Sequence, residues 1–188
     1  KVFGRIDSLM KQLYADKPTS FISAELPAGR VSLQGKWVSS EPIRFEGIGA
    51  SCYLKGAFDS VLSFDDGSYA VIDFKTSQPS PAHIGFYGRQ LHAYAYALQH
   101  PAPGALRLEP VTRLGLVYMD PVEIEYRPDF QRIFYGGEVT WSEIPLEMER
   151  FEEFLAGVLR VLAAPEPPEA NPECGFCAYR EEARAHGM

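Results

Sequence analysis

Two aspartates, a lysine and a glutamine carry the chemistry that can be read from this chain. Asp59 ends the run Gly56-Ala57-Phe58-Asp59, Asp73 and Lys75 sit in Ile72-Asp73-Phe74-Lys75-Thr76, and Gln90 follows with Leu91 and then Tyr94-Ala95. Thirteen residues separate the aspartates, and fourteen separate Lys75 from Gln90. Paired carboxylates suit a hard divalent cation, which takes one or two of them and leaves places for water and phosphate oxygens. A lysine two residues from one carboxylate can contact an attacking water or the charge that develops on phosphorus, while the metal lowers that water's pKa. The set is suited to holding one or two magnesium or manganese ions beside a phosphodiester. Asp59, Asp73 and the backbone carbonyl of Phe74 are the expected metal ligands. An Asp-x-Lys on a strand is ordinarily a solvated pair of little energetic consequence. The apolar flanks Val71, Ile72 and Phe74 instead indicate a buried strand, where charge is costly unless paired or metal-bound.

The elements that must position these groups follow from local pattern. Residues 53–64 and 68–76 are rich in β-branched and aromatic types, and Asp65-Asp66-Gly67 separates them. A glycine at the third loop position fits a three-residue hairpin loop ending in a left-handed residue. That loop pairs Phe64 with Ser68 and, counted back, places Asp59 opposite Asp73. A two-residue turn at Asp66-Gly67 would instead put Asp59 opposite Phe74. Side chains alternate along a strand, so Asp73 and Lys75 share a face. Opposed like charges destabilise a sheet, a penalty that a bound cation would remove. A helix over residues 82–99 places Tyr87, Gln90 and Tyr94 on one face. Tyr87, Leu91, Tyr94 and Leu98 also read as a buried stripe. A polar amide such as Gln90 on an inward face needs a hydrogen-bond partner.

These motifs resemble the PD-(D/E)xK nuclease superfamily, and specifically its RecB-like branch, which includes nuclease domains of helicase–nucleases and exonucleases of CRISPR adaptation. The resemblance covers roughly residues 41–120, and Leu114-Gly115-Leu116-Val117-Tyr118 is similar to the family's next core strand. It implies an α/β fold with a restriction-endonuclease-like core, a central mixed sheet flanked by helices. It also implies metal-dependent cleavage of DNA, exonuclease-like, with a helicase or another repair or defence protein as companion. By the same resemblance Asp59 and Asp73 are metal ligands, Lys75 is the catalytic lysine, and Gln90 and Tyr94 orient it or contact DNA. An upstream acidic ligand is expected, with Glu41 favoured over Glu46 and Glu25. The upstream histidine of many relatives is missing, since the first histidine is His83.

Relatives also hold an iron–sulfur cluster on four cysteines. Only Cys52, Cys174 and Cys177 are present, so no cluster is expected and Cys174-Gly175-Phe176-Cys177 reads as its remnant. By ligand type, Cys52, Cys174, Cys177 and His186 could instead form a zinc site.

With 188 residues and 46% hydrophobic content, the chain is expected to form one domain with a sizeable core, closed by a helix over 145–164 and a cysteine-bearing tail over 165–188. The sequence shows no membrane-spanning run or leader, so a cytoplasmic protein is expected. A net charge of −7 argues against coating DNA by bulk electrostatics. A local basic strip of Lys36, Arg44, Lys55 and Arg89 could serve one groove, although scattered basic residues are by default a solvated face. Further expected elements are a helix over 2–14 burying Phe3, Ile6, Leu9, Met10 and Leu13, and strands near 19–25, 30–38, 111–118, 122–126 and 132–141. Residues 43–49 read as a connection. Two other classes compete with the enzyme: a catalytically silent DNA-binding or scaffold module, and a hydrolase of RNA or small molecules on the same scaffold.

Overall fold

The computed structural model describes residues 2–187, with the side chains of residues 2, 3, 82 and 83 outside the description. The expected role of Phe3 falls on those side chains. In chain order the elements are α1 (Val2–Tyr14), β1 (Gly29–Gln34), β2 (Trp37–Ser39), β3 (Ile43–Arg44), β4 (Ser51–Cys52), β5 (Lys55–Ala57), β6 (Ser60–Phe64) and β7 (Tyr69–Lys75). They continue with α2 (Pro81–Gln99), β8 (Val111–Arg127), β9 (Arg132–Ile144), α3 (Met148–Ala163) and α4 (Gly175–Ala185). The central sheet runs β1-β6-β7-β8-β9, and two small ribbons pair β2 with β5 and β3 with β4. Only β7 and β8 are parallel, joined by the crossover helix α2. The sheet is therefore mixed and flanked by helices, as expected.

Loop chemistry fixes the hairpin that carries both aspartates. Gly67 adopts φ +87°, a left-handed conformation that costs glycine little. The Asp66 carboxylate accepts from the Ser68 N–H and hydroxyl at 2.8 and 2.7 Å. The Phe64 N–H then reaches the Ser68 carbonyl at 2.9 Å. β6 and β7 pair with Ser63 opposite Tyr69 and Ser60 opposite Ile72. The three-residue loop thus sets the register, which runs on to bring Asp59 across from Asp73.

Each face of the sheet has its own core. On one side α2 and the sheet bury Leu91, Ala95, Leu98, Val61, Val71, Leu114, Leu116 and Tyr118. On the other, Met10 and Tyr14 of α1 pack with Leu62, Ile72, Phe74 and Val117. Alternation along β7 sends Val71 to the α2 side and Ile72 and Phe74 to the α1 side. A third cluster ties α3 to α2 and β3 through Phe151, Leu155 and Ile43.

Several expectations fail for identifiable reasons. Residues 53–64 do not form one strand. The Phe58 N–H turns to the Lys36 carbonyl, and the chain passes from the β2–β5 ribbon to the central sheet there. Gly35 at φ +59° breaks the expected strand over 30–38 in the same way. Residues 19–21 form a 3-10 turn after Pro18 rather than a strand. The segment expected as a connection holds β3, paired with β4. The two strands expected over 111–126 are one, with a bulge between Pro121 and Glu123. In α1, Met10 and Tyr14 are buried while Leu9 and Leu13 are more than half exposed, and in α3 Val158 and Leu162 face out and Ala156 is buried. In α1 the stripe is shifted by one position, whereas in α3 Phe151, Leu155 and Leu159 keep it centred as expected and only its edge moves to Ala156.

β8 pairs with β7 only as far as Tyr118, so beyond it β8 and β9 continue as a two-stranded ribbon. Cross-strand pairs Ile124–Tyr135 and Tyr126–Ile133 put four exposed apolar side chains on one face. The opposite face carries Glu125 and Arg127, with the guanidinium 4.8 Å above the Phe134 ring.

Candidate active site

Asp73 and Lys75 stand at the end of β7, on the face covered by α2. Asp73 is only 4% exposed. Its Oδ2 is in ion-pair contact with Lys75 Nζ, without the alignment of a hydrogen bond. Its Oδ1 faces the Gln90 amide of α2, a long contact of 3.4 Å. Lys75 Nζ lies 3.6 Å from the centre of the Tyr87 ring, a close cation–π contact that holds the ammonium between strand and helix.

Gln90 also donates to the Tyr94 hydroxyl at 3.0 Å, so the amide on the inward face has the partners its burial requires. Tyr94 is seated in turn against Gly56 of β5. A Cβ at Gly56 would stand 2.8 Å from a Tyr94 ring carbon, closer than real contacts allow. A missing methyl on one ribbon therefore fixes a ring, an amide and a carboxylate in succession.

Asp59 precedes β6 and has both oxygens engaged. Oδ2 accepts the Phe74 N–H at 3.0 Å, and Oδ1 is 2.7 Å from Lys11 Nζ of α1. Lys11 also reaches Asp7 one helical turn earlier, at 2.9 Å. Burial opposes the Lys11 charge, but pairing with Asp59 and Asp7 outweighs it and raises the pKa. Asp73 moves the other way for a carboxyl: burial, then the charge of Asp59 beside it, push it up to about 6 against the pull of Lys75. Like charges this close repel, and the Lys11 and Lys75 ammonium groups are the cations that offset them here.

The donor set suits a hard divalent metal. Asp59, just before β6, and Asp73, on β7, offer oxygens to one another's side, and Asp73 is buried, disfavoured in its charged form and short of a well-aligned donor on Oδ2. A dication between them would relieve burial and repulsion together.

Other candidates lie elsewhere. Among the described residues no three His, Cys, Asp or Glu side chains gather as metal ligands. Glu41 therefore does not join the aspartates, and neither do Glu46 or Glu25. The Glu41 N–H bonds to the His100 carbonyl past the far end of α2, where its charge bears on Tyr96. Cys52, Cys174, Cys177 and His186 do not converge on a zinc site either: Cys52 lies in β4, Cys177 is on α4, and Cys174 and His186 flank that helix at its two ends. Lys55 lies over Trp37, and Arg89 lies over Phe154 in a cleft of about 420 Å³ between α2 and α3.

A family model of the PD-(D/E)XK nuclease superfamily matches residues 10–181. The chain belongs to that superfamily. Its members are generally nucleases and typically use divalent metals. The crystal structure of SSO0001 is similar at 23% identity, over 79% of this chain and 59% of that one, with a TM-score of 0.40. No curated protein matches.

Sequence reasoning missed two groups in this nuclease-superfamily site. Lys11 follows Asp7 by four residues and reads as an ordinary helix ion pair, so its reach to Asp59 has no local signal. Tyr118 pairs across from Lys75, and its buried hydroxyl has no hydrogen-bond partner among the described residues. A hydroxyl on a core strand beside the catalytic motif was the available hint.

Proposed function

We propose that this protein is a metal-dependent deoxyribonuclease of the RecB-like branch, acting exonucleolytically in repair, recombination or defence. The observation that carries the proposal is the buried Asp73–Lys75 pair standing across a hairpin from Asp59, with Gln90 closing the fourth side. Asp59, Asp73 and the Phe74 carbonyl would hold Mg²⁺ or Mn²⁺, which when bound would polarise the phosphate and acidify water. Asp73 must be ionised to do this, so the metal competes with its proton, and metal affinity falls as the pH drops below about 6. Lys75, held off bulk water by the Tyr87 ring, offers its ammonium to the attacking water or to a non-bridging phosphate oxygen. Gln90 keeps the Asp73 carboxylate in place, and Tyr94 braces Gln90. DNA is the substrate, and a helicase or similar protein is the natural companion of such a domain.

A second reading, a silent DNA-binding or scaffold module, draws on Lys11, whose ammonium already sits on Asp59. End-labelled single- and double-stranded DNA with Mg²⁺ or Mn²⁺, against EDTA and Lys75→Ala, decides between them. Metal-dependent cutting absent from Lys75→Ala supports the nuclease, and the product ladder reports exonuclease or endonuclease action. Folded protein that binds DNA but cuts with neither metal supports the silent module.

A further inference from the structure

The four carboxylate oxygens of Asp59 and Asp73 are engaged by four groups of this chain: Lys11, the Phe74 N–H, Gln90 and Lys75. Two of those groups are ammonium ions, and together they carry the charge of one divalent cation. A metal that approaches Asp59 meets its present partners, and on Oδ1 it is repelled by the Lys11 ammonium 2.7 Å away. The Phe74 N–H belongs to the β7 backbone, so Oδ2 keeps its donor, and Oδ1 is the oxygen held by Lys11.

The two lysines differ in what they can fall back on. Lys75 is on a central strand, 17% exposed in its side chain, and confined between Asp73 and the Tyr87 ring. Lys11 is on a helix anchored by its neighbours, since Met10 is buried and Tyr14 stacks on Phe74 at 5.3 Å. Its backbone is therefore fixed beside the site while its long stem remains free to swing. Asp7, 2.9 Å from the same ammonium, can keep it when Asp59 is withdrawn. Lys11 then gives up one of two partners and no burial of an unpaired charge follows.

We propose that Lys11 is an internal cation that competes with the metal for Asp59, and that Asp7 is the carboxylate onto which it is displaced. The proposal rests on Asp59 and Asp73 being the metal carboxylates. It makes α1 part of the metal site without adding a ligand, and it sets the metal concentration at which the site fills.

The test is calorimetric titration of Mn²⁺ into the whole protein, with circular dichroism verifying that each variant is folded. Lys11→Met, or Lys11→Gln should the methionine variant fold poorly, binds Mn²⁺ about three- to tenfold more tightly than wild type. Lys11→Arg keeps the competing charge and stays near wild type. Asp7→Asn weakens binding, and this weakening disappears in the Asp7→Asn/Lys11→Met double variant, because Asp7 acts through Lys11. Wild-type protein that binds Mn²⁺ together with Lys11→Met that binds it equally or more weakly overturns the displacement alone. Absence of binding in wild type and Lys11→Met alike overturns the metal site itself. Loss of binding in Asp73→Asn with the Lys11 effects intact supports both.

Discussion

Asp73 is buried beside a second aspartate, and its raised pKa has a sign that can be followed through to stability. A carboxyl that titrates near 3.8 unfolded and near 6 folded keeps its proton longer in the folded state. The stability it contributes is fully present below pH 3.8 and is lost as the pH rises through about 6. Urea melts of the protein in EDTA should show that decline, and Asp73→Asn should flatten it. A profile unchanged by Asp73→Asn would assign the slope to other groups. Lys75→Ala leaves buried Asp73 without its ammonium, so cleavage should fall by about a hundredfold or more, while the melting temperature at about pH 5, where Asp73 is mostly protonated, moves little. A collapse in thermal stability would make Lys75 structural instead. At this scale the sequence was informative where spacing acts locally. Strand periodicity alone put Asp73 and Lys75 on one face, while the placement of Gln90 beside them came from the family resemblance. Lys11 could not, because nothing within four residues of it distinguishes a lysine that reaches another element from one that is solvated.

The elements show why some of the architecture was readable and some was not. The β6–β7 hairpin was legible as a hairpin with two possible loops, and Asp66 and Gly67 decide for the three-residue one that determines the register; its first strand is shorter than the pattern suggested. The β2–β5 ribbon was not, because three-residue strands carry too few alternations to separate from their neighbours. That ribbon nonetheless positions the site through the contact of Gly56 with Tyr94. Gly56→Val should push the ring away, loosen Gln90 from Asp73, and lower cleavage by about tenfold with folding largely retained. A cleavage assay paired with thermal melting separates this from general destabilisation; unchanged activity would remove Tyr94 and Gln90 from the chain of support. The β8–β9 ribbon behaves differently. Replacing residues 121–137 by a short turn removes mostly exposed side chains, so the melting temperature should stay within about 3 °C of wild type. A larger drop would mean that the ribbon braces the sheet beyond the pairing seen here.

For the molecule as a whole, a net charge of −7 and two aspartates at one site make divalent ions the natural counter-charge. Saturating Mg²⁺ binds only the folded state, so at a hundredfold excess over its Kd it adds about 2.7 kcal/mol, or several degrees in melting temperature. EDTA should abolish that gain, and Asp59→Asn or Asp73→Asn should show none of it in differential scanning calorimetry. A gain that persists in both variants would place the ion elsewhere on the acidic surface.

The ribbon beyond Tyr118 also governs how this protein behaves in concentrated solution. Both of its long edges offer unsatisfied peptide groups, and one of its faces shows Ile124, Tyr126, Ile133 and Tyr135 to water. Such a surface invites strands from neighbouring molecules to add on. What opposes this is mutual repulsion among Asp120, Glu123 and Glu138, spaced along the same two strands, Glu125 being paired with Arg127. Added salt weakens that repulsion and leaves the open edges untouched. The colloidal stability of the protein is therefore set by its acidic side chains, and it declines as ionic strength rises.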